Sequence, residues 1–347
     1  MNMNERPGVY TAYEVASVLA GKGSGGAVGI AAQAASGTAM EAVVLTTYAQ
    51  AASAFGTDCN LTKLIKILIQ NGAPKIVAVP VKIGEDASSV DYEAAFGILM
   101  THSQVKYMVC DSRDGAVHMA MKNAITGSDS ENCKYRVGFA ERSGTVQDLT
   151  AAAAALNSER MSLVAPAEAS GTEGAVAAAV AGAAAGSSDP ALPLNGTVLS
   201  GLSGLASGLS DSEINALVKG GVTPVETVNG EVSVIRAVTT RTQTGGAEDA
   251  TWRELSTILI VDYVIPKVRD ALRAKFTRTK NTAQTRGAIR TQVVVELEAM
   301  LAAEIIDSYG GVSAEADVSD PTVCAVSFSF TVAHGLNRIS LMAYITV

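Results

Sequence analysis

The stretch Asn60–Val81, NLTKLIKILIQNGAPKIVAVPV, decides the fold class of this chain. Its first part, Asn60–Asn71, repeats leucine and isoleucine at helical spacing, which indicates an amphipathic helix. Its last part, Lys75–Val81, is a short valine-rich run of the kind found in strands that are buried on both faces. A helix followed closely by such a strand predicts an α/β layer with a largely parallel sheet.

The alternation of strand and helix continues over residues 26–235, which we interpret as one outer α/β domain. Short β-branched runs predict further strands at Ala27–Ala31, Val43–Thr46, Lys106–Cys110, Tyr135–Ala140, Met161–Ala165 and Val232–Val238. Helices are predicted at Asp91–Thr101, Ala116–Ile125, Thr145–Leu156, Thr172–Ala185 and Asp211–Lys219.

The pattern changes over residues 236–347, which we expect to form an inner C-terminal α+β domain of mixed sheet and helix. Apolar residues at helical spacing predict a helix over Thr251–Phe276, and Pro266 should kink or restart it. A second helix is predicted over Thr291–Tyr309, ending at Gly310-Gly311.

Two runs with a period of two residues close the chain. Cys324–Val332 and Ile339–Val347 alternate apolar with smaller or polar residues, and His334-Gly335 lies between them. This pattern predicts a hairpin with one buried face. The last strand reaches Val347, so its edge would carry unpaired N–H and C=O groups. We therefore expect strands from neighbouring subunits to complete this sheet.

Residues 1–25 are predicted to be an extended N-terminal arm with a hinge. Pro7-Gly8 breaks regular structure, and the following stretch Val9–Val15 is able to form a strand. An arm of about 20 residues would reach up to roughly 65 Å, enough to cross onto a neighbour. A glycine-rich exit should act as its hinge. The hinge residues are Gly21, Gly23, Gly25 and Gly26.

Composition restricts the partners. The 347 residues suggest about two domains, and the net charge of −8 argues against nucleic acid as a partner. Only 17% of residues are charged, which indicates a surface partly covered by other subunits. Met1–Tyr10 is polar where a signal peptide would be apolar, and the small-residue run Ala175–Gly186 is too short for a bilayer. We expect a protein made in the cytoplasm without a signal peptide and with no membrane partner.

The motifs that could carry chemistry are weak. Gly21–Gly26 matches the GxGxxG dinucleotide fingerprint, but the next segment is typical of a strand and not of a helix. The four cysteines are scattered without metal-binding spacing. His118 and His334 are expected to be solvated structural residues. We therefore expect no catalytic residue, no metal and no cofactor.

Asp111 carries the main catalytic alternative. It follows the strand that ends at Cys110, where α/β enzymes place their active-site groups. The polar loop Asp111–Asp114 is also suited to cap the next helix, and this interpretation is favoured because no other residue converges on Asp111. An α/β enzyme with a polar site at this loop remains open, as does another kind of self-assembling shell protein.

Positive charge is concentrated in one segment of this acidic chain. Residues 252–290 contain nine Lys and Arg residues against three Asp and Glu. A basic stripe on an acidic protein suggests one cationic face that meets an anionic partner, although an ordinary solvated helix face is the alternative. The residues assigned to the stripe are Lys267, Arg269, Arg273, Lys275, Arg278 and Lys280.

Several segments, in this order and spacing, resemble the tail sheath family of contractile phage tails and R-type bacteriocins. The N-terminal run Arg6–Tyr10 is similar to that family's opening, and Val28–Ala31 with Val43–Thr46 resembles its first α/β unit. The resemblance continues through Leu156–Pro166, Asp189–Ala191, Leu209–Asp211, Gly221–Pro224, Arg236–Thr240 and Arg253–Tyr263. The chain is short for this family, which implies a minimal sheath without large outer insertions.

The resemblance implies a structural subunit, not an enzyme. Such subunits form stacked rings, typically hexameric, that are joined by strand exchange, surround an inner tail tube, and contract to drive it through a target envelope. The inner tube protein and the baseplate and tail terminator proteins would be its partners. The residues expected in the exchanged strands are Arg6, Pro7, Val9, Tyr10, Tyr13, Val15, Ile339, Leu341, Ala343, Ile345 and Val347.

Overall fold

A nine-stranded sheet organises the first two thirds of the computed structural model, which describes residues 26–127, 135–337 and 341–342. Its strands are β1 (Ala27–Ala34), β2 (Val43–Leu45), β3 (Ile76–Ile83), β4 (Val105–Cys110), β5 (Val137–Glu141), β6 (Met161–Ala165), β7 (Val198–Leu199), β8 (Val222–Val228) and β9 (Glu231–Val234). Their order is β2-β3-β1-β4-β5-β6-β8-β9-β7. The six strands from β3 to β8 in this order are parallel to one another. At the two ends of the sheet, β2 pairs antiparallel with β3, β9 pairs antiparallel with β8, and β7 pairs antiparallel with β9.

Helices cover both faces of this sheet. They are α1 (Tyr48–Phe55), α2 (Asn60–Gln70), α3 (Ser89–Thr101), α4 (Gly115–Thr126), α5 (Val146–Leu156), α6 (Ala175–Gly186) and α7 (Asp211–Lys219). One core lies between the sheet and α1, α2 and α6. The other lies between the sheet and α3, α4, α5 and α7. The largely parallel α/β layer predicted from the sequence is confirmed.

Local sequence determines where several of these helices begin. Capping boxes open α1, α3, α5 and α7, since each has a Ser or Thr at the N-cap and a Gln, Asp or Glu three residues later. Asp114 caps α4, and its carboxylate accepts a hydrogen bond from the Ala116 amide at 3.0 Å. The loop after β4 therefore caps the next helix as predicted.

Helix α6 is made of alanine, valine and glycine and is buried almost all round. It approaches α2 so closely that a Cβ at Gly182 would lie 2.8 Å from the Leu68 carbonyl oxygen. Its N-cap is Gly174, which has no capping side chain. The buried carboxylate of Glu141 takes over that role by accepting from the Val176 amide at 2.7 Å.

The C-terminal third is built on two helices and a small sheet. Its elements are β10 (Gln243–Thr244), β11 (Ala247–Glu248), α8 (Leu255–Phe276), α9 (Ala283–Ala302), β12 (Ile306–Ala316) and β13 (Cys324–Val332). The start of α8 packs in the core of the α/β layer through Leu255 and Ile258. Further along, Ile260, Val264 and Val268 pack with α9 and the small sheet in a core of their own.

Two local predictions for this region need correction, and a third falls largely outside the described residues. The second helix ends at Ala302, and residues 306–309 belong to β12, where Gly311 has a φ of +61° beside a register shift between Gly310 and Ser313. Gly310-Gly311 therefore marks a bulge in a strand and not the end of a helix. Pro266 lies inside one continuous α8.

The third prediction concerns pairing. The strand Cys324–Val332 exists as predicted, but it pairs antiparallel with β12. The predicted hairpin with Ile339–Val347 is not seen for Leu341, the residue of that strand set that the structure describes, which is outside any strand and 92% exposed. Ile339, Ala343, Ile345 and Val347 lie outside the described residues.

Among the described residues, every helix is too short or too polar to cross a membrane.

Candidate assembly surfaces

The sheet formed by β12 and β13 is a two-stranded ribbon with strands of 11 and 9 residues. Within the part of the chain that the structure describes, no third strand pairs with either of its long edges. Among these described residues, both edges therefore present rows of backbone N–H and C=O groups without sheet partners. An isolated ribbon of two strands is marginally stable in water, so this one depends on what covers it.

Only one face of the ribbon is covered. Along β13 the residues alternate between half-buried and exposed, and the apolar members Val326, Phe328, Phe330 and Val332 are the half-buried ones that face α8 and α9. The alternation confirms the predicted one-sided strand. The opposite face carries small polar groups, such as Ser327 and Ser329, which do not need burial.

Most residues assigned to strand exchange fall outside the described chain. Arg6, Pro7, Val9, Tyr10, Tyr13 and Val15 lie there, as do the hinge glycines Gly21, Gly23 and Gly25. Gly26 is described and leads directly into β1. Because β1 is a strand from Ala27 onward, the GxGxxG motif is not followed by the helix N-terminus that a dinucleotide site needs.

The six residues of the basic stripe are all exposed, at the end of α8 and in the turn before α9. They do not form one line. Arg269 and Arg273 are four residues apart and share a helix face, whereas Lys267 lies about 160° away from Arg269 around the helix. Lys275 donates to Gln292 on α9 at 2.5 Å. The structure therefore divides the stripe between two faces of α8.

The acidic residues of this segment are mostly neutralised by the α/β layer. Asp262 on α8 accepts two hydrogen bonds from the guanidinium of Arg160, at 2.8 and 2.9 Å, and both side chains are largely buried. Glu254 accepts two hydrogen bonds from the guanidinium of Arg236 through a single carboxylate oxygen, Oε1. Asp270, paired with Arg269 at 3.3 Å, is more exposed. The exposed end of α8 is consequently more cationic than the sequence count indicates.

These pairs also fix α8 to the α/β layer. Arg160 lies at the entry to β6 and contacts the Tyr135 ring, 5.4 Å from its centroid, while its guanidinium holds Asp262. A bidentate, desolvated pair of this kind is costly to break because it leaves a buried charge without a partner. The pair therefore ties the α/β layer to α8, the helix that packs against α9 and the small sheet.

Asp111 has a structural role. It is 3% exposed at the carboxyl end of β4. One carboxylate oxygen accepts from the Gln33 amide at 3.0 Å and from Asn60 at 3.3 Å, and the other accepts from the Tyr92 hydroxyl. Burial raises the pKa of Asp111, and these hydrogen bonds oppose that shift. The carboxylate joins β1, α2 and α3, and both of its oxygens are occupied by the hydrogen bonds that make these connections.

The prediction that His118 is solvated is wrong. His118 is 1% exposed, and its Nε2 donates to the Ser112 carbonyl at 2.8 Å. Burial lowers the pKa of this imidazole. No local pattern predicts this burial, because one histidine on a helix can point to either side. His334 is exposed, as predicted.

The cysteines offer no reactive centre among the described residues. Cys59, Cys110 and Cys324 are free thiols. Burial raises the pKa of Cys110 to about 12, which keeps it protonated and unreactive. No group of three or more His, Cys, Asp or Glu residues in the described chain is arranged to hold a metal ion.

A large mixed α/β sheet with a separate two-stranded C-terminal sheet matches the fold of tail sheath proteins. The model for the phage tail sheath protein central domain matches residues 85–240, and the model for the phage tail sheath C-terminal domain matches residues 247–346. The chain belongs to the phage tail sheath family.

Solved structures agree on the fold. The chain is similar to a subunit in the baseplate of the anti-feeding prophage, with 15% identity, a TM-score of 0.77, and coverage of 99% of this chain and 100% of that one. It is also similar to a subunit of the contracted helical sheath of the same particle, with 14% identity, a TM-score of 0.73, and coverage of 99% of each chain. The sheath tail protein of Desulfitobacterium hafniense is similar as well, with 12% identity, a TM-score of 0.70, and coverage of 94% of this chain and 100% of that one. No curated protein sequence matches the chain.

Proposed function

We propose that this protein polymerises into a sheath around an inner tube and contracts to drive that tube through a target envelope. The observation that carries this proposal is the two-stranded sheet β12–β13, which has long strands, one covered face and open edges among the described residues. In a monomer these edges are a liability for aggregation, whereas in a sheath they are the joints between subunits.

The joints form by strand addition. Val9–Val15 of one subunit and Ile339–Val347 of another add to the β12–β13 ribbon of a third, which turns a marginal pair into a four-stranded sheet. The subunits stack as rings, and hexameric rings are supported by the 6-fold symmetrised baseplate that contains a similar chain. Baseplate and tail terminator proteins would bind the two ends of the stack.

Contraction needs no nucleotide in this proposal. The sheath assembles in an extended, metastable form around its tube, and new contacts between subunits release the stored energy. Gly21, Gly23, Gly25 and Gly26 act as hinges, so that subunits rotate and slide while the exchanged strands stay paired. The connection between Arg160 and Asp262 lets each subunit move as one body.

The inner tube binds the cationic end of α8 and the turn after it. A charge-based contact suits a surface that must first hold the tube and later release it, because its strength depends on close approach and is screened by salt. Arg269 and Arg273 share one face and are the best pair for this role.

Negative-stain microscopy of the purified protein tests the assembly. We expect hollow tubes for the full chain and their loss after deletion of residues 1–15. The fragment of residues 26–337 serves as the folding control. It should keep the thermal unfolding transition of the full-length subunit. Tubes that persist without residues 1–15 would contradict the strand-exchange proposal.

The tube contact has a separate test. Replacing Arg269, Arg273 and Lys275 by glutamate should abolish extended assembly on the inner tube and leave contracted sheaths intact. A matched variant changes Arg286 and Arg290 on α9, outside the assigned stripe. Unchanged co-assembly of the first variant with the tube protein would remove the assignment.

A further inference from the structure

A cleft of about 440 Å³ separates α8 from the α/β layer. It lies at the amino ends of β1, β4 and β5, on the opposite edge of the sheet from Asp111. One wall is the face of α8 that carries Leu259 and Tyr263, and another is the loop after α6 that carries Leu192 and Leu194. The cleft is separate from the β12–β13 edges and from the exposed Arg273.

The walls of this cleft are suited to an apolar segment of chain. Tyr107, Leu259 and Tyr263 line it with aromatic and aliphatic surface. Leu192 lines it as well and is 62% exposed, so part of its apolar side chain is open to water at the cleft. Charged groups such as Lys106 and Arg269 also belong to its lining and could contact a polar backbone.

The position of Gly26 identifies the occupant. Gly26 itself lines the cleft, so the 25 residues that precede it enter the described structure at this point. Just before the glycine-rich link the sequence reads Val15-Ala16-Ser17-Val18-Leu19-Ala20, which is apolar at three large positions. The five residues 21–25 span at most about 18 Å, which keeps residues 16–20 within reach of the cleft.

We propose that residues 16–20 of the same subunit dock in this cleft, with Val18 and Leu19 covering Leu192 and Leu259. A segment tethered by so short a link has an effective concentration in the millimolar range, which favours it over the same segment of another subunit. Docking fixes the root of the arm beside α8 and leaves residues 1–15 to reach a neighbour.

The docked root would set the length of the arm. With residues 16–20 in place the free arm has 15 residues and reaches about 50 Å, whereas a released arm of 25 residues reaches about 85 Å. Release of the root would return the glycine link to the role of a hinge. The cleft thus gives the subunit two arm lengths, one suited to close neighbours and one to distant neighbours.

A disulfide test on the unassembled full-length subunit decides the question independently of sheath formation. Leu19→Cys combined with Leu192→Cys should give an intramolecular disulfide under mild oxidation, identified by peptide mapping of the monomer band on a non-reducing gel. Leu19→Cys combined with Val228→Cys is the matched control, because Val228 is 47% exposed but lies outside the cleft. We expect at least about tenfold more cross-link for the first pair.

Two results would overturn the proposal. Disulfide-linked dimers would show that the cleft receives the arm of a second copy, and equal cross-linking by both pairs would show no preference for the cleft. Hydrogen exchange provides a readout without cysteines. Amides of residues 16–20 should exchange about tenfold more slowly than those of residues 1–10, and Leu192→Asp but not Val228→Asp should remove the difference. Equal exchange of the two segments in the unmodified protein would also overturn the proposal.

Discussion

The two sheets of this subunit differ in the burial of their faces and in the length of their edge strands. In the nine-stranded sheet, β1, β3, β4, β5 and β6 are buried on both faces, and the outermost strands β2 and β7 have only three and two residues. In the two-stranded sheet, no strand is buried on both faces, and the edges run for 11 and 9 residues. Short edge strands limit pairing between molecules, whereas long open edges promote it. Among the described residues, the large sheet has short outer strands and the small sheet has long open edges, and we propose that neighbours complete the small sheet.

The largest expected effect compares a phenylalanine from each sheet. Phe139→Ala removes a fully buried side chain of β5 and should lower the free energy of unfolding by about 3–5 kcal/mol. Phe328→Ala removes a half-buried side chain of β13 and should cost the free subunit about 1 kcal/mol. Urea unfolding of unassembled subunits measures both. Equal costs would mean that the small sheet is already complete.

The next effect concerns the connection between the sheets. Asp262→Asn leaves the largely buried guanidinium of Arg160 without its carboxylate and should destabilise the subunit by about 3 kcal/mol. Asp270→Asn is the matched control on the same helix, since its carboxylate is 65% exposed, and it should change stability by less than about 0.5 kcal/mol. Similar values for the two variants in urea unfolding would argue against a rigid connection.

A smaller effect follows from His118 in the α/β layer. Its pKa is lowered by burial from the usual 6.5, so below that pH the unfolded chain binds a proton that the folded chain does not. The free energy of unfolding should therefore decrease on acidification below about pH 6.5, by at most about 1.4 kcal/mol per pH unit. His118→Gln should flatten this part of the profile. A profile that is the same in both proteins would contradict the assignment.

The smallest effect tests the edge of the large sheet. Val44→Lys in β2 places a charge at a position that is already 46% exposed. We expect a change in stability within about 0.5 kcal/mol and normal tubes by negative-stain microscopy. Loss of tubes would show that this edge is also a joint, and the contrast between the two sheets would then fail.

Much of the large sheet could be predicted from local sequence. Helix α7 was predicted at its observed bounds, Asp211–Lys219, and β6 at Met161–Ala165, because valine-rich runs and capping residues act over a few neighbours. The strand β8 was not predicted, although it contains Val222 and Val225. It directly follows the end of a helix at Gly220, and Pro224 within it weakened the strand pattern.

The assembly surfaces were harder to predict from the sequence. The period of two residues along Cys324–Val332 identified a strand with one covered face, but such a pattern does not name the partner strand. The glycines of β12 looked like a helix end because a Gly at positive φ serves both a helix C-terminus and a bulge. The cleft beside α8 had no sequence signal, since its walls come from five separate segments.

The sequence alone determined the class of fold, the alternation of strands and helices in the α/β layer, and the excess of positive charge after residue 252, because each depends on residues that are close together in the chain. Only the tertiary structure decided that β13 pairs with β12, that Arg160 and Arg236 neutralise Asp262 and Glu254, and that the basic residues divide between two faces of α8. These features depend on contacts between residues far apart in the chain, and geometry in three dimensions selects those contacts.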